Sequence, residues 1–244
     1  MTKIFEKPKS LRDIPTHYCA GCGHGIAHRL ICEVIDSLGI REKTIGVAPV
    51  GCAVLAYDYW DFDVTEAAHG RPPAVATGIK RMLPETVVFT YQGDGDLAAI
   101  GTSEIIHTAN RGENITVIFV NNGIYGMTGG QMAPTTLFAQ KTKTTPLGRD
   151  KARDGYPLKI SEMLAILDGV VYLERVSVHN PVNVRRAKRA IKKAFQNQID
   201  KKGFSMVEVV AMCPTGWGVS TQGAIKWIED NILKYYPLGV LKGK

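Results

Sequence analysis

The stretch TVVFTYQGDGDLAAI, residues 86–100, joins the pattern of a buried strand to that of a helix through an acidic, glycine-rich turn. Its first six residues are β-branched or aromatic, which is typical of a strand buried on both faces of a sheet. A helical pattern begins at Leu97 and continues to Asn110. Because aspartate and glycine are disfavoured in strands, residues 93–96 indicate a functional turn at the end of this strand.

Strand and helix patterns alternate on both sides of this stretch. This alternation predicts an α/β fold with a doubly wound, mostly parallel sheet, and 244 residues suit a single domain spanning residues 1–244. In such sheets ligands bind beyond the carboxyl ends of the strands. The predicted strands cover residues 43–48, 63–66, 86–91, 115–120, 170–175 and 204–210, and the predicted helices cover residues 26–38, 74–82, 97–110, 182–198 and 221–234, with another near Ser161.

Charge and hydropathy exclude several classes of protein. The net charge of +7 suits anionic partners such as nucleotides, coenzymes or an acidic protein. The charged start of the chain has no apolar segment of a signal peptide, and the run ITVIFV is far shorter than a membrane span. We therefore expect a cytoplasmic protein without membrane contact. The basic residues of 185–202 form the solvated side of an amphipathic helix, without the interleaved aromatics of a nucleic-acid site.

Two polar turns follow neighbouring strands of the predicted sheet. Asp94 and Asp96 follow one strand, and Asn121 and Asn122 follow the next, with one helix between them. In a right-handed βαβ unit both turns open at the same edge of the sheet. Carboxylate and amide oxygens are ligands for Mg²⁺ or Ca²⁺, and the adjoining helix N-terminus favours an anion. Together the two turns predict a binding site for a metal-bound diphosphate. The alternative is that Asp94 and Asp96 only cap the helix and that the asparagine turn is an ordinary one.

Four of the five cysteines lie in predicted loops rich in glycine and proline. Cys19 and Cys22 form a C-x-x-C pair, and Cys52 and Cys213 each follow a predicted strand, so all four can meet at one edge of the sheet. Such a set suits zinc or an iron–sulfur cluster. The alternative is a redox-active dithiol of Cys19 and Cys22, which leaves the other two unexplained. Cys32 lies on an apolar helix face and is expected in the core.

The GDG turn followed by NN across one βαβ unit resembles the thiamine diphosphate signature. This resemblance implies that Asp94 and the side chain of Asn122 hold Mg²⁺ together with the backbone carbonyl of Ile124. It also places Gly95 and Asp96 against the diphosphate. Zinc ribbons usually contain two C-x-x-C pairs, whereas this chain has only one such pair and two distant cysteines. Beside a thiamine site, this arrangement favours a [4Fe–4S] cluster over zinc.

Six segments, in order along the chain, resemble the β subunit of the 2-oxoacid:ferredoxin oxidoreductases. The form GMTGGQMAPTT is closer to the 2-oxoglutarate and branched-chain members than to the pyruvate members. The resembling segments are HYCAGCGHG (17–25), VGCA (50–53), AAHGRPPAVATGIK (67–80), GDGDLAAIG (93–101), VNNGIYGMTGGQMAPTT (120–136) and CPTGW (213–217).

The resemblance implies a subunit of an enzyme that converts a 2-oxoacid to acyl-CoA and CO₂ and reduces external ferredoxin. Its cofactors would be thiamine diphosphate, Mg²⁺ and a [4Fe–4S] cluster, with coenzyme A as co-substrate. Only one thiamine half-site is visible, so an α-type subunit would supply the pyrimidine-binding half and its Glu, beside γ and ferredoxin-like subunits. The implied residues are His69 and Arg71 for catalysis, Val50, Gly51, Cys52, Ala53, His69, Gly70, Gly93, Gly95, Asp96, Gly126, Met127 and Thr128 for the cofactor, and Cys19, Cys22, Cys52 and Cys213 for the cluster.

Two other interpretations stay open from the sequence. One is a thiamine-dependent non-oxidative decarboxylase or carboligase subunit with structural zinc, and the other is a non-catalytic electron-transfer module. Residues 125–140 are expected to pass over the cofactor and, with the partner chain, to select the 2-oxoacid. Thr128 and Gln131 would serve as donors there, and replacing Thr135 and Thr136 would then change the preference among 2-oxoacids.

Overall fold

A seven-stranded sheet lies at the centre of the computed structural model, which describes residues 6–243. The first five residues, part of the charged start for which no signal peptide is expected, and Lys244 lie outside the described residues. The strands of the sheet are β1 (Thr44–Ala48), β2 (Asp63–Glu66), β3 (Val87–Gly93), β4 (Thr116–Asn121), β7 (Val170–Ser177), β8 (Phe204–Val210) and β9 (Gly239–Lys242), and a separate hairpin pairs β5 (Ile124–Tyr125) with β6 (Gln131–Met132).

The strand order is β2-β1-β3-β4-β8-β7-β9, and all neighbours are parallel except the antiparallel edge pair of β7 and β9. The helices are α1 (Gly23–Leu38), α2 (Ala56–Tyr59), α3 (Pro72–Met82), α4 (Thr102–Asn110), α5 (Lys151–Asp154), α6 (Ile160–Ala165), α7 (Pro181–Ile199), α8 (Pro214–Trp217), α9 (Thr221–Trp227) and α10 (Leu233–Tyr235). A short 3₁₀ turn covers Arg41–Lys43, and wide π-type turns cover Asp96–Ile100 and Ile228–Ile232.

Helices cover both faces of the sheet. Since successive residues of each strand point to opposite faces, each strand contributes apolar side chains to both layers. On β4, Val117 and Phe119 pack into one buried apolar cluster, and Ile118 and Val120 pack into another. One cluster includes α1 and α7 residues, and the other includes α3 and α4 residues. The predicted doubly wound, mostly parallel sheet is confirmed.

The basic helix and Cys32 are placed as expected. The apolar residues Ala187, Ile191 and Phe195 of α7 are fully buried, and its lysines and arginines are exposed or half-buried. Cys32 has no exposed surface, and its thiol donates to the carbonyl of Ser10 at 3.4 Å. Within residues 6–243, none of the helices has the length and apolar character that a membrane crossing requires.

Several local features differ from the sequence prediction. The helix predicted to begin at Leu97 is interrupted, since Asp96–Ile100 forms a π-type turn before α4. The helix predicted over residues 221–234 is likewise divided by the π-type turn Ile228–Ile232. Residues 121–157, for which no helix or strand is predicted, contain the hairpin of β5 and β6 and the short helix α5. Strand β9 was not predicted, because its four residues become a strand only by pairing with β7 at the edge of the sheet.

The carboxyl ends of β1, β3, β4 and β8 lie side by side at one edge of the sheet. The register pairs Gly93 of β3 with Val120 of β4, and Asn121 with Val210 of β8. The loops that carry Cys52, Asp94, Asn122 and Cys213 leave from these ends, so the topology brings these four residues to one edge.

Candidate cofactor site

The two polar turns predicted to form a metal site are in contact. Asp94 and Asn122 are 3% and 4% exposed, at the ends of neighbouring strands. The Asp94 carboxylate accepts hydrogen bonds from the Gly95 N–H at 2.9 Å and from Thr135 Oγ1 at 2.7 Å. The Asn122 side chain accepts from the Ile124 N–H at 3.2 Å, and the indole of Trp217 donates to the Asn122 carbonyl at 2.9 Å.

The electrostatics at Asp94 favour a bound cation. Burial raises the pKa of Asp94 to about 6, and hydrogen bonds from Thr135 and from the backbone of Gly95, Gly123 and Ile124 oppose part of this rise. The Gly123 and Ile124 interactions come from the Asn122 turn, across the βαβ unit. A buried carboxylate beside an amide oxygen fits Mg²⁺, because the cation offsets the cost of burying the negative charge.

A cavity of about 240 Å³ and a smaller one of about 120 Å³ lie next to each other at this edge. The smaller, which we call the cofactor cavity, contains residues of both predicted metal-binding turns. Its lining residues are His24, Val50, Gly51, Cys52, His69, Gly93, Asp94, Gly95, Asp96, Asn122, Ile124, Tyr125, Gly126, Met127 and Thr128.

Three residues assigned to this site from the sequence do not line the cofactor cavity. Ala53 is buried in the apolar core at 1% exposed. Gly70 has φ +79° and packs against the backbone of Gly101, where a Cβ at position 70 would stand 2.6 Å from the Gly101 nitrogen. Arg71 forms an ion pair with Glu104 instead of facing the cavity.

Tyr125 and His24 also line the cofactor cavity. The Tyr125 ring lies so close to Gly95 that a Cβ there would stand 2.0 Å from a ring carbon, so position 95 requires glycine. His24 is 2% exposed, and its Nδ1 lies 2.8 Å from the Tyr91 hydroxyl. Burial lowers the pKa of His24 to about 4, so its imidazole is neutral at pH 7. The contacts of Tyr125 with Gly95 and of His24 with Tyr91 join segments that are far apart in the sequence, so no local sequence pattern predicts them.

The larger cavity, which we call the cysteine cavity, brings together the four loop cysteines. Cys19, Cys22, Cys52 and Cys213 all line it, and the Cys22 N–H closes the C-x-x-C turn on the Cys19 carbonyl at 3.0 Å. A Cβ at Gly126 would lie 3.2 Å from the Cys52 sulfur and 3.4 Å from the Cys213 sulfur. Glycine at position 126 thus lets the chain pass between these two thiols.

The four thiols around this cavity are a donor set for a metal group. Thiolates are the ligands of both structural zinc and iron–sulfur clusters. Within residues 6–243, no group of three or more His, Cys, Asp or Glu side chains is already arranged around a single point. The structure therefore leaves both kinds of metal group open at the cysteine cavity.

The two cavities share a wall. Cys52, Asn122, Gly126 and Met127 line both of them. Asn122, a predicted ligand of Mg²⁺, and Cys52, a predicted ligand of iron, therefore both belong to this shared wall. Any group held in the cofactor cavity is a direct neighbour of any group held in the cysteine cavity.

A buried arginine holds the long loop after β4 against this site. The Arg149 guanidinium is 6% exposed and donates to the carbonyls of Pro134, Thr136 and Tyr156 at 2.9, 2.7 and 2.6 Å. The carbonyls of Pro134 and Thr136 flank Thr135, the residue that donates to Asp94. Arg149 thereby links the far part of the loop to the metal-binding turn.

We expect Arg149→Met to lower the free energy of unfolding by about 3 kcal/mol, because several buried carbonyls lose a charged donor. Urea unfolding followed by circular dichroism measures this change. Arg153→Met is the matched control, since Arg153 is half exposed and pairs with its neighbour Asp154. Equal midpoints for the two variants would show that Arg149 does not hold the loop.

Thr135 and Thr136, expected to influence the choice of substrate, face the interior. They are 1% and 0% exposed, and Thr136 Oγ1 donates to the Gly123 carbonyl at 2.6 Å. Both hydroxyls thus support the metal-binding turns. In contrast, Thr128 lines the cofactor cavity and hydrogen-bonds Gln131 at the surface.

We therefore expect Thr135→Ala to weaken Mg²⁺-dependent cofactor binding about tenfold, because the hydrogen bond to a buried carboxylate is lost. The kcat/KM values of different 2-oxoacids should fall by the same factor. Steady-state assays with a panel of 2-oxoacids test this, with Thr135→Ser as the control that keeps the hydroxyl. A changed order of kcat/KM among the 2-oxoacids would instead show that Thr135 takes part in substrate selection.

Comparison with known proteins agrees with this geometry. Residues 50–209 match the family model described as the C-terminal TPP binding domain of thiamine pyrophosphate enzymes. The ketoisovalerate oxidoreductase subunit VorA of Methanothermobacter thermautotrophicus is 51% identical over 246 residues, covering 97% of this chain and 52% of VorA. The 2-oxoglutarate synthase subunit KorB of Methanocaldococcus jannaschii is 40% identical over 224 residues, covering 89% of this chain and 78% of KorB. The chain thus spans about half the length of the VorA relatives.

A solved structure has the same fold. The 2-oxoglutarate:ferredoxin oxidoreductase from Magnetococcus marinus, with 2-oxoglutarate, coenzyme A and succinyl-CoA bound, superposes with a TM-score of 0.80 at 25% identity. The match covers 100% of this chain and 87% of that chain. With its thiamine-binding domain and its VorA and KorB relatives, this chain belongs to the thiamine diphosphate-binding subunits of the 2-oxoacid:ferredoxin oxidoreductase family.

Proposed function

We propose that this chain is the subunit of a cytoplasmic enzyme that converts a branched-chain 2-oxoacid to acyl-CoA and CO₂ and reduces ferredoxin. The observation that carries this proposal is the shared wall between the cofactor cavity and the cysteine cavity. Oxidative decarboxylation needs a group that accepts electrons beside the reacting centre, and the wall provides this adjacency. The branched-chain assignment rests on VorA, which is the more similar of the two relatives described above.

The cofactor cavity would hold Mg²⁺ and the diphosphate of thiamine diphosphate. The ligands to Mg²⁺ would be the side chains of Asp94 and Asn122 and the backbone carbonyl of Ile124. When bound, thiamine diphosphate supplies the C2 carbanion chemistry of decarboxylation. Gly93, where no atom lies within 4 Å of the position that a Cβ would take, would let the diphosphate approach the backbone closely. His69 lines the same cavity as a hydrogen-bonding group for the cofactor or the substrate.

The cysteine cavity would hold a [4Fe–4S] cluster on Cys19, Cys22, Cys52 and Cys213. One C-x-x-C pair with two distant cysteines, all lining a cavity next to the cofactor cavity, supports a cluster over zinc, because zinc ribbons usually contain two C-x-x-C pairs. Cys52 would then bind iron while lining the cofactor cavity, and it would lie on a short route for electrons. A non-oxidative decarboxylase or carboligase with structural zinc would need no such route.

The active unit would contain at least one further polypeptide segment. Only the diphosphate-binding half of a thiamine site is recognisable in this chain, so an α-type subunit would supply the pyrimidine-binding half and its activating Glu. Residues 1–244 would act as one domain beside this subunit and beside γ and ferredoxin-like subunits. Coenzyme A would enter as co-substrate, and external ferredoxin would leave with the electrons.

Purification of the native complex and assay with a panel of 2-oxoacids test the proposed function. We expect iron and thiamine diphosphate in the complex, and CoA-dependent reduction of ferredoxin with the highest kcat/KM for a branched-chain 2-oxoacid. Release of CO₂ without ferredoxin reduction, together with zinc, would favour the non-oxidative enzyme. A complex that binds no thiamine diphosphate would favour the non-catalytic electron-transfer module.

A further inference from the structure

Asp96 is held by donors from three separate segments of the chain. Its Oδ1 lies 2.6 Å from His69 Nδ1 and 2.9 Å from the Gly70 nitrogen, with the Val50 nitrogen at 3.4 Å. Its Oδ2 accepts a hydrogen bond from Gln92 Nε2 at 2.6 Å. The Asp96 side chain is only 1% exposed, whereas that of His69 is 30% exposed. Asp96 also lines the cofactor cavity, and each of its oxygens already has at least one hydrogen-bond partner from the protein.

The hydrogen-bond directions in this cluster are determined by chemistry. Gln92 is fully buried, and its Oε1 accepts from the Thr90 hydroxyl at 2.9 Å, so its amide nitrogen is the atom that donates to Asp96. An ionised carboxylate only accepts hydrogen bonds. His69 must therefore carry a proton on Nδ1, which leaves Nε2 as the ring nitrogen available to a group in the cofactor cavity.

Two glycines make this contact possible. Gly70 has φ +79° and packs directly against Gly101, which follows the π-type turn Asp96–Ile100. A Cβ at Gly101 would stand 2.5 Å from the Gly70 carbonyl oxygen. Glycine at both positions lets the loop that carries His69 approach the turn that carries Asp96. A π-type turn interrupting a helix is a frequent feature of functional sites.

We propose that Asp96 is a positioning residue that fixes the orientation and the Nδ1 proton of His69, and that it does not itself contact the diphosphate. The carboxylate and the diphosphate are both anionic, so contact between them would be repulsive without an intervening cation. Asp94, two residues earlier, faces the Asn122 turn instead and remains the carboxylate suited to the metal. This inference rests on the proposed function and assigns the two aspartates of the turn to different tasks.

A double-mutant cycle in the native complex tests the proposal. We expect His69→Gln to lower kcat about 10²-fold and Asp96→Asn to lower it at least tenfold, because a general acid–base or donor group loses its position. In the His69→Gln background, Asp96→Asn should change kcat by less than about twofold, since it acts through His69. Independent effects that multiply would overturn the proposal.

Calorimetry supplies a measurement that does not depend on turnover. We expect the dissociation constant of thiamine diphosphate with Mg²⁺ to be the same in His69→Gln and in the double variant. Tighter binding in the double variant would mean that the Asp96 charge had been repelling the diphosphate directly, and weaker binding would mean that Asp96 supports the cofactor itself. Either change would overturn the proposal.

Two further variants complete the experiment. Asp36→Asn is the matched control, because Asp36 is half-buried and accepts hydrogen bonds from Ser10 at a distant surface. If Asp96→Asn prevents assembly, Gly101→Ala tests the same contact, because the added Cβ would push Gly70 and the loop of His69 away from Asp96. This variant should lower kcat only when His69 is present. A wild-type complex that binds thiamine diphosphate without reducing ferredoxin would refute the proposed function, while calorimetry would still test Asp96.

Discussion

Replacing Asp94 with Ala is expected to abolish Mg²⁺-dependent binding of thiamine diphosphate and to lower 2-oxoacid oxidation by about 10³-fold or more. Asp94 is the buried carboxylate that faces the Asn122 turn, so its loss removes the negatively charged ligand of the metal. Calorimetry with thiamine diphosphate and Mg²⁺ measures the binding, and assays of the native complex measure the rate. Normal cofactor affinity in this variant would refute the metal assignment.

The fold should survive this substitution. Burial raises the pKa of Asp94 to about 6, above its value in an unfolded chain, so in the cofactor-free protein the carboxylate destabilises the folded state once the pH rises above that pKa. At neutral pH we expect an unchanged or higher urea midpoint for cofactor-free Asp94→Ala. Asp200→Ala is the control, since Asp200 is exposed at the end of α7. A clearly lower midpoint for Asp94→Ala than for this control would mean that Asp94 supports the fold.

Serine at Cys19, Cys22, Cys52 or Cys213 is expected to remove most of the iron from the complex and to reduce ferredoxin reduction to background. Each thiol would bind a different iron, so one hydroxyl in place of a thiolate opens the cluster. Iron analysis and visible absorbance measure the loss. Cys32→Ser should keep the iron, because Cys32 is buried under the start of the chain and lies outside the cysteine cavity.

The cysteine variants also separate the competing interpretations. We expect Cys19→Ser to keep thiamine diphosphate binding, because Cys19 does not line the cofactor cavity, whereas Cys52→Ser should weaken it. Full iron content in Cys213→Ser would mean that another residue completes the cluster. Zinc in place of iron in the wild-type complex would support the structural-zinc enzyme.

Most of the longer strands and helices were predictable from the sequence. Residues 204–210 were predicted as a strand with the bounds that β8 has, because a phenylalanine and three valines dominate the segment. Strand β3 extends two residues beyond its predicted end, to Gly93, since pairing with β4 continues through the polar turn. The edge strand β9 and the hairpin of β5 and β6 were missed, because their few residues carry little periodic signal.

The candidate site was predictable where motif and topology act together. The convergence of Asp94 with the Asn122 turn, and of Cys52 with Cys213, follows from placing each turn at the end of a parallel strand. The C-x-x-C pair instead precedes α1 and lies beside Cys213, where the Gly23 N–H donates to the Met212 carbonyl at 3.0 Å. The partners of individual side chains were not predictable. Arg71 pairs with Glu104, and Thr135 reaches back to Asp94 across a long loop. Such contacts depend on how loops fold over the sheet edge.

By itself, the sequence determined the alternation of strands and helices, the edge at which the ligands gather, and the chemical types of those ligands. These features follow from local periodicity and from the handedness of βαβ units, which are properties of short segments. Only the tertiary structure decided that Asp94 faces the Asn122 turn while Asp96 faces His69, although two residues separate them. The reason is physical: buried polar groups must be hydrogen-bonded, and which partners are within reach is decided by packing between segments far apart in the chain.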